Sequence, residues 1–481
     1  MNRRKFSQAV LTLGAAAQSG IAQPSASEEY EEPARKLPTR TYDVVVAGGG
    51  TAGVVAAIAA ARLGAKTMLV ESKGYPGGTI VEGGTALHSF YNLWKPFPGV
   101  AKKNVVRGIP KEIVDRLAQA GGTCGYPEME RNFEYDSICT AIDTELYKLT
   151  AFEMLDEAGV FVAVNTLLCG AVRKGGRIEG VITESRSGRE FVRAKAYVDC
   201  TGYGDLAARA GAKYTEPNDY GVGNSMGVGN VDIEKLCQWL KSRDAMGDYC
   251  EGLRDGKERQ VVRFGGRTAN LPQELRQGLA TAGATFVTTT VRDNYFMFIK
   301  VGLKLPASAT NRDVVAKAEL ELRRRQQKTI ELFRKYLPGC EKAFIARTSP
   351  SLNIRRARVV ACDYDISRAD VLEARHFDDD IMAYGFHDSA PRLQIRNGGT
   401  YGVPYKALRV AGVDNLLAAG MMITSNPDAH MSTRNTVCSM GQGQGAGTAA
   451  ALCAARNCGT RDLPYGVLRA GLEKGGVYFE A

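Results

Sequence analysis

The most constraining feature of the sequence is a glycine-rich turn between two apolar runs, VVVAGGGTAGVVAAIAAARLGAKTMLVES at residues 44–72. Its first three residues are β-branched valines, which predict a buried strand. Gly48, Gly50 and Gly53 follow at G-x-G-x-x-G spacing, which allows a tight turn, the close approach of a pyrophosphate and close packing of the next helix. The stretch therefore predicts a strand–turn–helix unit that binds a dinucleotide.

The residues after the glycines extend this unit. Residues 51–63 are mostly alanine and valine and predict a helix, whose N-terminal N–H groups and dipole would face a phosphate. Residues 67–70 predict a second strand, and Glu71 follows at the distance at which an acid accepts hydrogen bonds from a ribose. This pattern predicts a dinucleotide site without distinguishing NAD from FAD.

Length and composition bound the rest of the chain. Its 481 residues exceed one ordinary domain, and 44% hydrophobic residues can bury a sizeable core. A charged fraction of 24% favours a globular enzyme over a disordered or fibrous protein. The net charge of +10 is compatible with an anionic substrate, and no nucleic-acid-binding motif accompanies it. None of the 11 cysteines stands in a CxxC pair, so the sequence predicts no metal site.

The N-terminus has the features of an export signal. The opening MNRRKF places paired arginines and a phenylalanine ahead of a short apolar run at residues 9–17, and this resembles a bacterial twin-arginine (Tat) signal in its R-R-x-F core. The run is too short to span a bilayer, and small residues allow cleavage after Ala22. We therefore predict a signal peptide at 1–22, a linker at 23–40 and a periplasmic or secreted protein without a membrane span. The alternative is a basic tail.

Two later segments bear on which dinucleotide is bound. Residues 159–202 alternate between apolar and polar residues with glycine turns, which predicts a β-meander that returns to a strand before Thr201 and Gly202. Residues 413–424, VDNLLAAGMMIT, predict another strand that ends at Gly420. The sequence GQGQGAGTAAALCAA at 441–455 then predicts a helix whose residues are small enough for its backbone to touch a ligand or a neighbouring segment.

These segments together resemble the FAD-dependent oxidoreductases. The matching sequences are VVVAGGGTAG, LVESKGYPGGT, AYVDCTGYGDLAARAGA, YGVPYKAL, DNLLAAG and AHMSTRNTVCSMGQGQGAGTAAA, and they extend over residues 43–455. Their order is that of the two-dinucleotide-binding-domain flavoproteins, and the chain is most similar to the bacterial FAD-dependent oxidoreductase family related to fumarate-reductase-type flavoproteins. The resemblance implies FAD as the cofactor and an α/β fold, with a Rossmann-like FAD-binding domain and an inserted α+β substrate domain.

The resemblance also implies how the domains are divided along the chain. The FAD-binding domain would comprise three segments, 41–83, 151–214 (with the meander) and 401–460. The substrate domain would comprise 84–150 and 215–400, including a long amphipathic helix at 313–336 that ends before a Pro-Gly pair. Residues 461–481 would form a C-terminal tail.

Carried over position by position, the resemblance implies a set of cofactor-binding residues. Val164 would contact the adenine, while Gly443, Gln444 and Gly447 would present a helix N-terminus to the flavin ring. Met421 stands where many relatives have an arginine or aspartate, so backbone N–H groups would replace a side-chain contact there. The residues assigned to FAD are Gly48, Gly50, Thr51, Ala52, Gly53, Glu71, Gly77, Gly78, Thr79, Val164, Gly202, Asp205, Gly420, Gly443, Gln444 and Gly447.

Five further residues are candidates for the chemistry. His430 and Arg434, in AHMSTRN, resemble a His/Arg pair of the family at the active site, although Arg434 could instead tie its loop to carbonyl groups. His88 follows the phosphate-binding GGT and is a candidate substrate ligand or proton shuttle, with a covalent tether to the flavin or a packed surface histidine as alternatives. Arg355 and Arg358, in LNIRRARVV, match family arginines near the flavin pocket and could grip a carboxylate or form structural ion pairs.

The function implied is hydride transfer between FAD and an organic acid or sugar-like small molecule, with electrons passed to or from a separate carrier. One alternative is an NAD(P)-dependent dehydrogenase, which the lack of a second GxGxxG disfavours. The other is a non-catalytic or tRNA-modifying flavoprotein, which the export signal disfavours.

Overall fold

The computed structural model describes residues 30–84, 87–93, 97–128, 138–387 and 393–479. The chain separates into two compact units, residues 1–37 and 38–481. In the first unit, the described residues 30–37 contain no helix or strand, and the signal peptide predicted at 1–22 lies outside the described residues. The elements below belong to the second unit.

The described ranges contain both strands and helices. The strands are β1 (Thr39–Thr41), β2 (Val44–Ala47), β3 (Thr67–Val70), β4 (Leu87–His88), β5 (Cys139–Thr140), β6 (Phe161–Ala163), β7 (Leu167–Lys174), β8 (Arg177–Ser185), β9 (Gly188–Arg193), β10 (Ala196–Asp199), β11 (Tyr214–Thr215), β12 (Val222–Gly229), β13 (Met246–Arg254), β14 (Lys257–Gly266), β15 (Val287–Thr289), β16 (Tyr295–Leu303), β17 (Phe344–Thr348), β18 (Val359–Val360), β19 (Asp380–Tyr384), β20 (Tyr401–Pro404) and β21 (Leu416–Ala418). The helices are α1 (Thr51–Arg62), α2 (Thr79–Gly83), α3 (Ile109–Gln119), α4 (Thr144–Glu157), α5 (Asp205–Arg209), α6 (Ile233–Ser242), α7 (Gln273–Ala282), α8 (Arg312–Tyr336), α9 (Arg368–Leu372), α10 (Pro427–Thr433), α11 (Thr436–Arg456) and α12 (Tyr465–Lys474).

A five-stranded parallel sheet forms the centre of the nucleotide-binding part. Its strand order is β21-β10-β2-β3-β6, and every neighbouring pair is parallel. All residues of β2, β3 and β10 are buried, as expected for a parallel sheet covered on both faces. The glycine-rich turn joins β2 to α1, and β3 returns beside β2. The predicted α/β class with a Rossmann-like nucleotide-binding fold is therefore confirmed.

Helices α1 and α11 pack with their backbones in contact. A Cβ atom added to Gly443 would lie 2.2 Å from the carbonyl oxygen of Ala52, and one added to Gly447 would lie 2.1 Å from that of Ala56. No side chain fits at either glycine, so the small residues of α11 allow it to approach α1 at close range. This contact closes the nucleotide-binding core with a helix from the far end of the chain.

The segment predicted as a meander divides between two sheets. Strands β7, β8 and β9 form the antiparallel meander, and β1 pairs with β9 in parallel. Strand β6 instead pairs in parallel with β3, at the edge of the central sheet. The long crossover through α4 explains this difference, because such a connection returns the chain parallel to the strand it left. Strand β1 overlaps the last two residues of the stretch predicted as a linker, 23–40.

The region assigned to the substrate domain contains two three-stranded antiparallel sheets, β16-β12-β17 and β13-β14-β15, with helices α6, α7 and α8. Asn311 caps α8 by accepting hydrogen bonds from the N–H groups of Asp313 and Val314. Buried side chains between residues 226 and 343 form a hydrophobic core of their own. Buried residues between 360 and 395 belong to the nucleotide-binding core, because β19 pairs with β20. Within the described residues, no helix is both long and apolar enough to span a membrane.

Candidate active site

A cavity of about 500 Å³ opens at the carboxyl ends of the parallel strands. Gly48, Glu71, Cys200 and Gly420 follow or nearly follow strands β2, β3, β10 and β21, and all four line the cavity. Ligands bind at this edge of doubly wound sheets because loops from several strands converge there. The fold therefore places this cavity where the glycine motif predicts a nucleotide.

The glycine-rich turn is held by contacts that exclude side chains. Gly48 has a φ of +91°, and a Cβ there would lie 2.6 Å from the carbonyl oxygen of Cys200. A Cβ on Gly53 would lie 1.8 Å from the carbonyl oxygen of Gly48. The first N–H groups of α1, including those of Thr51 and Ala52, have no intrahelical acceptor, and these two residues line the cavity. The turn therefore offers N–H donors to a diphosphate.

Glu71 is buried beside this turn and lines the cavity. Its Oε2 accepts a hydrogen bond from the N–H of Gly49 (2.8 Å), and its Oε1 accepts one from the N–H of Lys73 (2.8 Å). A carboxylate accepts about four hydrogen bonds, so capacity is left for a ribose hydroxyl. Glu71 thus fixes the loop and fits the ribose-binding position.

Only some of the residues predicted to bind the ribityl chain and the adenine line the cavity. Gly78 and Thr79 line the cavity. Gly77 supports the turn from behind, since its N–H donates to the carbonyl of Gly49 (2.8 Å) and a Cβ on it would lie 2.4 Å from a methyl of Val81. Val164 lies outside the cavity wall, between β6 and β7, and the wall there consists of residues 166–169. The predicted contact of Val164 with the adenine thus has no support from the cavity wall and stays a prediction.

Gly202 and Gly420, which follow strands β10 and β21, expose their backbone to the cavity. Gly202 and Gly420 have φ values of +73° and +119°, and neither has a heavy atom within 4 Å of an added Cβ. Both line the cavity together with Asp205. Behind them the buried Asp199 accepts hydrogen bonds from the N–H groups of Thr201 (3.0 Å) and Ala207 (2.8 Å). Burial raises the pKa of Asp199, and these bonds hold the turn.

The structure corrects the predicted position of the last helix. Helix α11 begins at Thr436, so Gly443, Gln444 and Gly447 lie in its second and later turns and not at its N-terminus. The two glycines contact α1, while the side chain of Gln444 accepts from the N–H of Ile109 (3.0 Å) and donates to the carbonyl of Gly475 (2.7 Å). Tertiary packing overrides the low helix propensity of the glycines.

The true start of α11 reaches the cavity. Thr436 and Ser439, in its first turn, line the wall beside Arg434. One cavity therefore joins the N-terminal ends of α1 and α11, both of which carry a partial positive charge. Glycine backbone, N–H donors and the acid Glu71 fit an extended dinucleotide.

Comparison with known families decides between the dinucleotides. The family described as "FAD dependent oxidoreductase" matches residues 43–472. The chain belongs to this family. FAD is its cofactor, as the sequence predicts.

The other comparisons found one match over part of the chain and several solved structures of low sequence identity. A dihydrolipoyl dehydrogenase from Trypanosoma brucei brucei is 60% identical over 136 residues, which cover 26% of this chain and 25% of that protein. The match thus spans about a quarter of the length of that relative. A geranylgeranyl bacteriochlorophyll reductase-like structure from Thermoplasma acidophilum is 14% identical, covering 91% of this chain and 83% of the other, with a TM-score of 0.45. The myxobacterial chondrochloren halogenase CndH is 12% identical, with coverages of 90% and 79% and a TM-score of 0.46.

The two residues of the predicted catalytic pair, His430 and Arg434, differ in their access to the cavity of this FAD oxidoreductase. Arg434 lines the cavity, whereas His430 is fully buried outside its wall. The Nε2–H of His430 donates to the carbonyl of Arg355 (3.0 Å), and its Nδ1 has no hydrogen-bond partner among the described residues. Burial and the positive charges of Arg434 and Arg356 lower the pKa of His430 to about 3. His430 is therefore neutral near pH 7 and holds the loop that ends at Arg355.

The two predicted substrate-binding arginines also differ. Arg358 is engaged in an ion pair with Asp205 (2.7 Å) and donates to the carbonyl of Tyr203 (3.1 Å), as in the structural alternative. Arg355 is exposed, one residue after the cavity-lining Ile354. The remaining candidate, His88, has its backbone in β4, and its side chain lies outside what the structure describes.

Sequence reasoning missed part of the cavity wall. Residues 351–354 and Tyr203 line it, as does Glu82, which forms an ion pair with Lys73. Residues 351–354 directly precede the arginines that drew attention, but their uncharged sequence SLNI carries no recognisable signal. In the described ranges, no group of three or more potential metal ligands is present.

Proposed function

We propose that this chain is an exported FAD-dependent oxidoreductase that transfers hydride between its flavin and a small organic substrate, with electrons passed to or from a separate carrier. Bound FAD supplies the hydride-transferring ring. The observation that supports the proposal most is the single cavity that joins the diphosphate-binding turn to Arg434 and the first turn of α11. A guanidinium and a helix N-terminus stabilise negative charge on a substrate or at a reacting centre.

Arg434→Lys should give a folded, yellow protein that is reduced slowly by its substrate. Lysine keeps the charge but lacks the planar fork that contacts two oxygens at once. The loss of one such preorganised donor slows chemistry by roughly 100- to 1,000-fold. Stopped-flow reduction of bound flavin, with substrates found by an anaerobic screen of carboxylates, alcohols and sugars, measures this rate.

Arg456→Lys is the matched control, because Arg456 is exposed at the other end of α11. The flavin of this variant should be reduced at the wild-type rate. Equal rates of flavin reduction in Arg434→Lys and wild type would show that Arg434 takes no part in the reaction. A purified protein without flavin absorption, or one reduced by NAD(P)H alone, would favour the dehydrogenase alternative.

The export part of the proposal rests on the paired arginines of MNRRKF. Replacement of both Arg3 and Arg4 by lysine should retain the precursor in the cytoplasm of a bacterial host, because the Tat signal requires the arginine pair. Fractionation and immunoblotting detect the retained precursor. Normal export of the double variant would contradict the Tat assignment.

A further inference from the structure

The C-terminal end of α11 carries two cysteines, Cys453 and Cys458, in the sequence CAARNCG. Asn457 follows the last helical residue in the left-handed region, with a φ of +51°. The N–H of Cys458 donates to the carbonyl of Cys453 (3.1 Å), and the N–H of Asn457 donates to that of Ala454 (3.4 Å). These two bonds define a Schellman motif, which ends a helix and brings the side chains of its two outer residues, here both cysteines, together.

The motif gives Cys453 and Cys458 the separation that a disulfide requires. Because one hydrogen bond joins the carbonyl of Cys453 to the N–H of Cys458, the two Cα atoms are no more than about 7 Å apart. Cα atoms separated by more than about 7 Å cannot be bridged without movement of the backbone. Cys458 packs against the hydrophobic core that contains Cys453, and the two thiols interact directly. Both residues are thiols in the structure.

The two thiols differ in their access to solvent. Cys453 is buried, whereas Cys458 is half-buried. Burial and the neighbouring thiol of Cys458 raise the pKa of Cys453 to about 12. A thiol attacks a disulfide in its thiolate form, so Cys458 is the residue that meets an oxidant first and Cys453 is the residue that closes the bond.

Access distinguishes this pair from a second pair of neighbouring cysteines. The thiol of Cys124 donates to the carbonyl of Cys139 (3.6 Å), but both residues are buried. An oxidant in solution therefore reaches neither thiol of that pair in the folded protein, whereas it reaches Cys458.

We propose that Cys453 and Cys458 are oxidised in the folded protein to a disulfide that closes the C-terminal turn of α11. The oxidant is another disulfide, of a small molecule or of an exchange protein. The thiolate of Cys458 attacks one of its sulfur atoms and releases one thiol. Cys453 then loses its proton and attacks the sulfur of Cys458, which releases the second thiol. Two protein thiols are thus oxidised while one disulfide is reduced to two thiols.

The chemistry of this pair is independent of the proposed function, and only its setting in the cell rests on the proposed export. Disulfides persist in the bacterial periplasm and outside the cell, whereas the cytoplasm keeps thiols reduced. Thr436 lines the flavin cavity at the other end of α11, and about 25 Å of helix separates it from Cys453 at 1.5 Å per residue. Oxidation of the pair should therefore leave the flavin absorption unchanged.

The test is incubation of the reduced, purified holoprotein with oxidised glutathione. Remaining thiols are blocked with N-ethylmaleimide in denaturant, disulfides are then reduced, and the released thiols are labelled with an isotope-substituted maleimide. Mass spectrometry should find the second label on Cys453 and Cys458 and the first on Cys362, which is also half-buried. Trypsin cleaves after Arg456, between the two cysteines, so without reduction the bond should appear as two linked peptides.

Single variants test the order of the two steps. Cys453→Ala should stop the reaction after the first step, with one glutathione attached to Cys458. Cys458→Ala should leave the buried Cys453 as a thiol. Cys362→Ala is the matched control and should form the same disulfide as wild type. The labelling of wild type needs no variant, so it decides the matter even where a variant does not fold.

Two results would overturn the inference. Cys453 and Cys458 of wild type could both carry the first maleimide after incubation with excess oxidised glutathione. Glutathione could instead stay attached to Cys458 of wild type, which would mean that Cys453 does not reach it. Neither result bears on the flavin, whereas a purified chain without FAD would contradict the proposed function and not the disulfide.

Discussion

A Gly50→Val variant should fold and be purified without FAD. A Cβ atom at this position would have Gly78 Cα at 3.9 Å and the carbonyl oxygen of Cys200 at 4.0 Å as its nearest neighbours, so the protein alone has room for it. Gly50 lines the cavity at the N-terminus of α1, where a branched side chain would occupy the space of the pyrophosphate. The ratio of flavin absorption to protein, with thermal unfolding of the same sample, measures both parts of this expectation.

Gly53→Ala is the informative comparison, because it should damage the fold itself. Its Cβ would lie 1.8 Å from the carbonyl oxygen of Gly48, and neither backbone segment can move without opening the turn. The two variants therefore separate loss of cofactor from loss of structure. Stoichiometric FAD in purified Gly50→Val would contradict the assignment of the turn to the diphosphate.

Gly447→Val should destabilise the protein severely. Its Cβ would lie 2.1 Å from the carbonyl oxygen and 2.7 Å from the Cα of Ala56, and both are backbone atoms of a buried helix. Relief of this overlap requires α1 and α11 to separate along their contact. We expect a loss of roughly 3 kcal/mol or more in the free energy of unfolding, at the upper end of overpacking substitutions. Thermal or urea unfolding of the holoprotein measures it.

Gly466→Ala provides the control for the effect of glycine in a helix. Gly466 is exposed in α12, and an added Cβ there has no atom within 4 Å. Alanine should stabilise the protein by about 0.5–1 kcal/mol, because glycine has the higher conformational entropy in the unfolded chain. Equal stability of Gly447→Val and wild type would mean that the two helices do not pack as described.

The sequence predicts the nucleotide-binding part well because each of its motifs depends on residues that are close together in the chain. The glycine spacing, the flanking strands and Glu71 lie within one continuous stretch, and the structure places them around one cavity. Strand β21 and the turn at Gly202 were also found from short apolar runs that end in glycine. Each of these features depends on a few neighbouring residues.

The sequence is less informative where contacts between distant parts of the chain determine the structure. The sequence predicts a helix at 441–455 and the resemblance puts its N-terminus near Gly443, whereas α11 begins at Thr436 and contact with α1 allows the glycines to lie inside it. Arg358 is a candidate ligand or structural ion-pair partner because it matches family arginines near the flavin pocket, and its partner Asp205 is visible only in three dimensions.

The contact between α1 and α11 has a consequence for how the protein is made. A ribosome synthesises the alanine-rich α1 long before it reaches the glycines of α11 that cover it. Until then one face of α1 has no partner, and most of that time the cavity also lacks Gly420, Arg434 and Thr436. Complete cofactor uptake must therefore follow synthesis of nearly the whole chain. An incomplete chain that stops before α11 would expose the small-residue face of α1 that α11 covers in the complete protein.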